Sequence, residues 1–455
     1  MQKRRKATFL FIVIIIVAGL GGLGWFLACI FEGQAPTVAV EPLPEYLSGR
    51  QKFTIRVEDK NRGIRKLKLF IDRGGRKISI LEKEFPFHGI LNREGVHTFE
   101  TEFFVDPKEM NLAQGRVDLS ANVWDYSRRS GGDGNLSVFQ HKMTVDTVPP
   151  AIGVLSRLNY VNVGGTGLAV YRVSSDTDQS GVYVNNSFFS GFPAGKGSDK
   201  ETRLCYFAIP ENLAAYPSVY LWAKDKAGNR STGSFNYHIR KKKFRVERMN
   251  ISDHFLKEVL PYFSFYPLDE KATPVEKFLK INRELRKKNT LAFQELGKKS
   301  VPERLWEGPW VRLKNAASMA RFGDRRIYYY HGKEVDRQTH MGVDLASIAQ
   351  SKVPAANNGK VVFAGRMGIY GNTVVLDHGQ GLMSSYSHLS RIDVAVGDMV
   401  AKGAFLGETG RTGLAGGDHL HFAILVDGNF VNPIEWWDNH WIDDNINRKL
   451  ALLEK

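Results

Sequence analysis

The segment HMGVD at residues 340–344 is followed by YSHL at 386–389 and by HLHF at 419–422. Together these segments carry four histidines and one aspartate. Zinc in proteins takes nitrogen and oxygen ligands in a tetrahedron, and a catalytic zinc keeps one position open for water. A histidine, an aspartate and a second histidine meet that requirement, and two further histidines remain to handle protons. The stretch therefore predicts a catalytic metal site.

Each motif is weak by itself. A histidine and an aspartate four residues apart occur by chance in surface loops, and a single His-x-His is more often a solvated strand face than a ligand pair. Residues i and i+2 of a strand do point to the same face, which suits two imidazoles around one ion. Seven of the 12 histidines fall between His331 and His440. This clustering favours a shared site.

The segments around the histidines read as short strands between glycine turns. KVVFA at 360–364, TVVL at 373–376 and LHFAILV at 420–426 are apolar, β-branched runs, and the loop at 410–417 is rich in glycine. The pattern predicts a β-rich domain. In such a sheet the ligands come from three separate elements and meet on one surface.

At this point the chain resembles a known family. HxxxD, YSHL and HLHF occur with GNTVVLDHGQGL and VAVGDMVAKGAFLGETGRTGL in order between them. This set is similar to the LytM or lysostaphin-type zinc metallopeptidases of family M23, over about residues 316–434. The resemblance implies an antiparallel β metallopeptidase domain that hydrolyses peptide bonds in peptidoglycan.

The resemblance also implies roles for five residues. It assigns one zinc per chain to His340, Asp344 and His421. It places His388 and His419 beside the metal as general base and transition-state stabiliser. The sequence leaves open which of these two histidines takes which role.

Other residues of the region are predicted to have structural or surface roles. His378 lies in a turn and is predicted to be hydrogen bonded, whereas His331 and His440 are predicted at the surface. Asp418 stands where the family more often has proline, which changes a loop and one local charge. The segment 321–337, rich in tyrosine and arginine, is predicted to shape the groove together with Asp418.

The N-terminus predicts a membrane anchor. KRRK at 3–6 precedes 23 uncharged residues at 9–31, which as a helix span about 34 Å, enough for a bilayer core of about 30 Å. The basic cluster belongs on the cytoplasmic side, so the rest of the chain is exported. A cleaved signal peptide and a lipoprotein cysteine at Cys29 are the alternatives. The favoured location is the bacterial inner membrane, single-pass, with the catalytic domain in the periplasm or outside the cell.

Composition limits the remaining classes. The 455 residues are 43% hydrophobic and 24% charged, which allows about three domains and excludes a disordered chain. The two cysteines lie far apart and imply neither a disulfide framework nor a cysteine zinc site. The net charge of +15 suits anionic wall polymers or lipid headgroups, or is simply solvated. No nucleic-acid motif occurs, so we expect no nucleic-acid partner.

The fold expected is mainly β, with two immunoglobulin-like β-sandwiches before the peptidase domain. Strict alternation at 53–57 and a Trp strand ending in an Asp-led turn in each half support the sandwiches. Trp124 and Trp222 are predicted core aromatics. The predicted divisions are basic tail and transmembrane anchor 1–35, sandwiches 36–148 and 149–245, helical linker 246–310, M23 domain 311–440 and C-terminal tail 441–455.

The linker shows helical signals. TPVE at 273–276 reads as a capping box with proline at the first helical position. Val275, Phe278, Leu279 and Leu285 then form an apolar stripe, which is expected to pack within the chain or, as the alternative, on a partner.

The function predicted is a membrane-anchored zinc endopeptidase acting on peptidoglycan stems or cross-links. The alternative is a non-catalytic or autoinhibited M23-type regulator that activates cell-wall amidases. A third class is an adhesion module whose β-domain only binds wall polymer. Cell-wall or division proteins are further candidate partners, through the sandwiches or the linker.

Overall fold

A computed structural model describes residues 2–194, 200–213 and 215–453. The fold is mainly β, as the alternation predicted, with an apolar helix at the N-terminus. The described residues group into two compact units. The first is Met1–Pro149 with Lys226–Asn229, and the second is Pro150–Asp225 with Arg230–Lys455.

The first unit begins with helix α1 (Gln2–Ile30). Within it, Arg4–Ile30 is long and apolar enough to cross a membrane, and it is the one such helix in the part of the chain that is described. Eight strands follow: β1 (Thr37–Glu41), β2 (Tyr46–Leu47), β3 (Gln51–Glu58), β4 (Ile64–Arg73), β5 (Arg76–Glu84), β6 (Thr98–Val105), β7 (Gly115–Asp125) and β8 (Leu136–Val145).

These strands form two sheets with a common core. One sheet has the order β1-β3-β6 and the other β2-β8-β7-β4-β5. Alternate residues of β3, such as Phe53, Ile55 and Val57, are fully buried and pack against the inward residues of the second sheet. The immunoglobulin-like topology stays a prediction.

The second unit opens with ten short strands. They are β9 (Ile152–Val154), β10 (Leu158–Asn162), β11 (Thr166–Val173), β12 (Thr177–Val184), β13 (Ser187–Ser190), β14 (Phe192–Pro193), β15 (Thr202–Ala208), β16 (Val219–Asp225), β17 (Arg230–Gly233) and β18 (Asn236–Arg240). Two four-stranded sheets result, β14-β15-β11-β9 and β13-β12-β16-β17, beside the parallel pair β10-β18.

The prediction that both tryptophans are core residues is wrong. Trp124 and Trp222 are only half-buried. In β16, Leu221 and Ala223 point into the core and are fully buried. Because side chains alternate between the two faces of a strand, Trp222 points to the other face, where it packs edge-on against Phe188. In β7 the neighbouring Val123 is fully buried, so Trp124 likewise points to the face away from the core.

The predicted linker region contains helices and also a strand. It begins with β19 (Val246–Ile251) and continues with α2 (Asp253–Val259), a 3₁₀ turn (Leu260–Phe263), α3 (Pro274–Lys280), a π-helical turn (Ile281–Leu285) and α4 (Arg286–Gly297). The capping box at Thr273 and Glu276 is confirmed, with the side chains and backbone N–H groups paired reciprocally. Phe278 and Leu285 of the apolar stripe are buried within the chain.

The C-terminal region is built on one eight-stranded sheet. Its order is β20-β23-β31-β27-β26-β25-β29, with β32 on β31, and all its pairs are antiparallel. The elements are β20 (Ala317–Ala320), β21 (Arg325–Tyr330), β22 (Lys333–Thr339), β23 (Val343–Ala346), β24 (Lys352–Pro354), β25 (Gly359–Arg366), β26 (Asn372–Asp377), β27 (Leu382–Leu389), β28 (Arg391–Ile392), β29 (Met399–Val400), β30 (Phe405–Glu408), β31 (Leu420–Val426), β32 (Asn429–Val431), α5 (Ile434–Trp437), α6 (Asn439–Ile442) and α7 (Arg448–Leu450).

Two smaller sheets flank this one. β21 pairs with β22 in a hairpin and, in parallel, with β19. β24, β30 and β28 form the other. Because β19 belongs to the region before the domain, the hairpin ties the helices α2 and α3 to the edge of the C-terminal region. The predicted domain boundaries remain predictions.

Candidate active site

Neighbouring strands bring the predicted residues together. β23 pairs with β31 so that Asp344 lies directly opposite His421, and β31 pairs with β27 so that Ser387 is also opposite His421. Directly opposed residues have Cβ atoms about 4.5–5.5 Å apart. His388 follows Ser387 near the end of β27. Strand register alone therefore places one carboxylate and two imidazoles at one end of the sheet.

Three donor atoms meet at a point. His340 Nε2 and His421 Nδ1 each lie 2.9 Å from Asp344 Oδ1, and the two nitrogens are 3.0 Å apart. All three side chains are buried. The three groups predicted to hold a metal are thus assembled, although they are separated by up to 81 residues in sequence.

The protons of this cluster argue for a cation. His340 Nδ1 lies 3.0 Å from the carbonyl oxygen of Arg321 and donates there, while its Nε2 faces Asp344 Oδ1 at 2.9 Å. His421 Nδ1 lies at the same distance from that oxygen and 3.0 Å from His340 Nε2. Two nitrogens that face each other at 3.0 Å cannot both carry a proton in that space, whereas a shared cation satisfies both nitrogens and the carboxylate oxygen together. Two imidazole nitrogens and one carboxylate oxygen are the donor types that zinc takes in proteins, so the residues present would hold such an ion.

The electrostatics keep the donors available. Burial opposes ionisation of Asp344, but the charge and hydrogen bonds of His340, with those of His419 and His421, hold the pKa of its carboxyl well below its usual range. Burial lowers the pKa of His421 to about 4, against the opposing effect of Asp344. At neutral pH the cluster therefore presents a carboxylate and a neutral imidazole, which are the ligand forms that a metal needs.

His388 and His419 stand beside the cluster. Their ring centroids are 4.8 Å apart, and that of His388 is 5.8 Å from that of His421. His388 Nδ1 donates to the carbonyl oxygen of Thr412 at 2.7 Å. His419 Nδ1 donates to that of Gly417 at 2.9 Å, and its Nε2 lies 3.5 Å from Asp344 Oδ1. In both rings a backbone carbonyl accepts from Nδ1, and Nε2 remains for proton transfer.

The two rings differ in charge state. Burial, with the neighbouring His419 and His421, holds the pKa of His388 well below its ordinary value. Burial also acts on His419, but the hydrogen bond and charge of Asp344 outweigh it and raise the pKa of that imidazole. One ring is therefore poised to accept a proton and the other to donate one.

A small cavity adjoins these residues. It measures about 190 Å³ and is lined on one side by the histidine and aspartate cluster. Met249 of β19, Phe255 of α2 and Phe278 of α3 also line it, together with Tyr328 of the β21–β22 hairpin. Arg326 and Tyr328 of segment 321–337 line this cavity, whereas Asp418, which was predicted to shape the groove with that segment, does not line it. The helices before the domain thus contribute to the wall of the cavity, and no sequence pattern indicated this.

Sequence reasoning also missed two arginines of this cavity. Arg326 and Arg286 both line it, and Arg326 Nη2 donates to Asp344 Oδ2 at 3.0 Å. The sequence signal for Arg326 is that it lies next to Arg325 on one strand. Alternation along β21 predicts that one points into the groove, and Arg325 binds Glu211 elsewhere.

The remaining predicted residues lie outside the cluster. His378 is buried and hydrogen bonded to Asn358 O at 2.6 Å and Ser384 Oγ at 2.7 Å, which confirms its structural reading. Burial lowers its pKa to about 4. His331 is exposed, as predicted. Asp418 accepts from Thr409 Oγ1 at 2.6 Å and holds a loop.

With this geometry, residues 338–433 match the sequence profile of Peptidase family M23. These residues form an M23 domain. The M23 domain is 39% identical over 95 residues to the DD-carboxypeptidase/endopeptidase Mpg of Neisseria meningitidis serogroup B, covering 21% of this chain and 22% of that protein. It is 38% identical over 96 residues to the peptidoglycan DD-endopeptidase ShyA of Vibrio cholerae, with 21% and 22% covered.

Solved structures of M23 proteins are also similar. A peptidase M23 from Pseudomonas aeruginosa is 21% identical, covers 60% of this chain and 93% of its own, and has a TM-score of 0.36. The catalytic domain of lysostaphin from Staphylococcus simulans is 30% identical over 28% of this chain and 94% of its own, with a TM-score of 0.24. The chain spans about a fifth of the length of the two curated relatives, through the M23 domain.

Proposed function

We propose that the chain is a membrane-anchored zinc endopeptidase that hydrolyses peptide bonds in peptidoglycan stems or cross-links. The observation that carries the proposal is the meeting of His340 Nε2, Asp344 Oδ1 and His421 Nδ1 within 3.0 Å of one another. Such a set suits one zinc per chain. The names of the relatives support a DD bond, between two D-configured centres, as the substrate.

The chemistry divides among the five residues. When bound, zinc supplies polarisation of the scissile carbonyl and lowers the pKa of water toward about 7. His388, buried and neutral, accepts a proton at Nε2 and is assigned as the general base. His419 donates from Nε2 toward the charge that develops on the carbonyl oxygen. The carbonyls of Thr412 and Gly417 hold both rings in the tautomer required.

The N-terminal helix supports the proposed location. Helix α1 is long enough to anchor the chain once in the bacterial inner membrane, with the cluster at residues 3–6 in the cytoplasm. The β-sheet regions and the M23 domain then lie in the periplasm or outside the cell, where peptidoglycan is. The regions before the M23 domain act as spacers or as docking modules for cell-wall or division proteins.

A direct test uses the full-length chain in detergent with isolated peptidoglycan. New amine ends are identified by mass spectrometry, beside an Asp344→Asn control. We expect cleavage at DD bonds that is lost in the control. Cleavage elsewhere would correct the substrate, whereas no cleavage in the zinc-loaded protein would contradict the proposal.

A second candidate is an occluded domain that serves as a regulator of amidases. The cavity of about 190 Å³ is smaller than the roughly 300–1,000 Å³ of typical ligand sites. Phe255 of α2 and Phe278 of α3 line it. In this second candidate, α2 and α3 hold the domain latent until they move aside.

A further inference from the structure

The cavity beside the metal cluster carries an excess of positive charge. Arg286 and Arg326 both line it, and among the described residues Asp344 is the one acidic side chain that does so. A bound zinc adds two more positive charges. Arg326 is paired with Asp344 and Glu247, whereas Arg286 has no carboxylate partner within the described chain. Because an unpaired charge in a confined site is costly, the cavity suits an anion that is not part of the protein.

Arg326 is held in place with one arm to spare. Its Nε lies 3.4 Å from Glu247 Oε2 and its Nη2 lies 3.0 Å from Asp344 Oδ2, while the side chain is 18% exposed. Its Nη1 makes no hydrogen bond to any described residue. A guanidinium fixed by two partners loses little further entropy when it binds a third.

Arg286 is held in the same manner but has no carboxylate partner within the described chain. Its Nε donates to Asn282 O at 3.2 Å and its Nη2 to Asn282 Oδ1 at 2.6 Å. Asn282 is fully buried and donates in turn to Asp336 at 2.8 Å. Burial raises the pKa of Tyr370 to about 12, and the charge of Arg286 opposes that rise. Arg286 lines the same cavity as the metal cluster and keeps Nη1 unpaired.

Two fixed guanidinium groups suit a carboxylate better than any other group of a peptide, because each keeps a charged Nη1 that can donate to a carboxylate oxygen. A scissile peptide bond is neutral, so the carboxylate has to come from the residue beside it. In a DD bond the leaving amine stands on an α-carbon that also bears a carboxyl group.

We propose that Arg286 and Arg326 bind the free α-carboxylate of the residue that leaves as the amine, and so select peptides in which that carboxylate is unmodified. The inference rests on the proposed endopeptidase function. The same carboxylate recognition then applies to the bond before a C-terminal residue and to the bond within a cross-link. A C-terminal residue and a D-centre within a cross-link both offer a free carboxylate next to the bond.

Binding without turnover tests the inference. The full-length chain is treated with chelator to stop hydrolysis, and calorimetry compares two cross-linked muropeptides. One has the free carboxylate on the leaving residue, and the other has it converted to the carboxamide. We expect about 10- to 100-fold tighter binding of the carboxylate form, the range typical of charge-assisted pairs. Arg286→Gln is expected to remove most of this preference.

Two further variants serve as controls. Lys287→Gln changes the same charge at an exposed neighbouring position of α4 and is expected to keep the preference. Arg286→Lys retains the charge without the fork and is expected to fall between. Equal binding of both muropeptides by the wild type would overturn the inference, as would a preference unaffected by Arg286→Gln.

Hydrolysis with zinc restored separates the two proposals. A preference in binding with no cleavage of either peptide would leave carboxylate recognition standing and contradict the endopeptidase function. Cleavage of both peptides at equal rates, together with equal binding, would leave the endopeptidase standing and remove the recognition rule.

Discussion

Arg326 donates from Nη2 to Asp344 Oδ2 at 3.0 Å, while the other oxygen of that carboxylate faces His340 and His421. One residue of the hairpin thus fixes the orientation of the aspartate that is expected to bind zinc. Groups that hold a metal ligand in this way commonly change metal affinity about 10–100-fold when they are removed.

Arg326→Gln is therefore expected to weaken zinc binding about 10- to 100-fold, because Asp344 loses the partner that orients it. Competition with a chromogenic chelator measures the affinity. Arg337→Gln, in the same hairpin but paired only with Glu334 at the surface, is the control and is expected to bind zinc as the wild type does. An unchanged affinity in Arg326→Gln would show that the contact does not orient the ligand.

His388→Ala is expected to lower kcat by about 10²–10⁴ while leaving the zinc content intact, since it removes the base and no ligand. His421→Ala is expected to lose both the metal and the activity. Elemental analysis beside the rate of peptide hydrolysis separates the two classes. Loss of zinc in His388→Ala would move that residue into the ligand set.

Phe255→Ala is expected to raise kcat/KM on intact peptidoglycan about three- to tenfold, an effect of roughly 1 kcal/mol for loosening the cover over a small cavity. Phe255 packs edge-on against Phe278 with centroids 6.2 Å apart and lines the cavity. The turbidity of a peptidoglycan suspension reports the rate. His254→Ala, exposed on the same helix, is the control, and equal rates in the two variants would remove the role of α2 as a cover.

Asp427 predicts a pH dependence of stability. Its Oδ2 accepts from the Ser190 backbone N–H at 2.5 Å, and burial raises the pKa of its carboxyl to about 7. The folded state then keeps a proton that the unfolded state has lost. Its contribution to stability is therefore greatest below about pH 4, falls between pH 4 and 7, and is constant above that.

Asp427→Asn removes this titration, and asparagine tolerates the positive φ of 45° found there. We expect the variant to be more stable than the wild type by about 1–3 kcal/mol at pH 8 and not at pH 4, because each pKa unit corresponds to about 1.4 kcal/mol. Urea unfolding followed by tryptophan fluorescence measures the difference, with exposed Asp178→Asn as the control. A difference independent of pH would contradict the protonated form.

The cluster of four histidines and Asp344 could be predicted from the sequence because its residues lie in three short motifs. Period-two alternation places His419 and His421 on one face, and three short motifs name all five side chains. The π-helical turn at Ile281–Leu285, the covering helices and Arg286 were not predictable in the same way. Their role depends on contacts between residues tens of positions apart, such as Asn282 with Asp336.

The error at Trp222 has the same origin. A large aromatic in an alternating strand reads as core by composition, but Leu221 and Ala223 already occupy the inward positions. Alternation shows that successive side chains of the strand point to opposite faces. It does not show which of the two faces packs on the core. The partner sheet decides it, and the partner is not visible in the strand itself.

His340, Asp344 and His421 are proposed to hold a catalytic zinc. The most direct measurement is the zinc content of the purified full-length chain by elemental analysis, with peptidoglycan hydrolysis followed on the same samples of wild type and His421→Ala. We predict close to one zinc per chain with cleavage in the wild type, and neither in the variant. Wild-type protein that cleaves peptidoglycan without zinc, or a variant that keeps both, would contradict the claim.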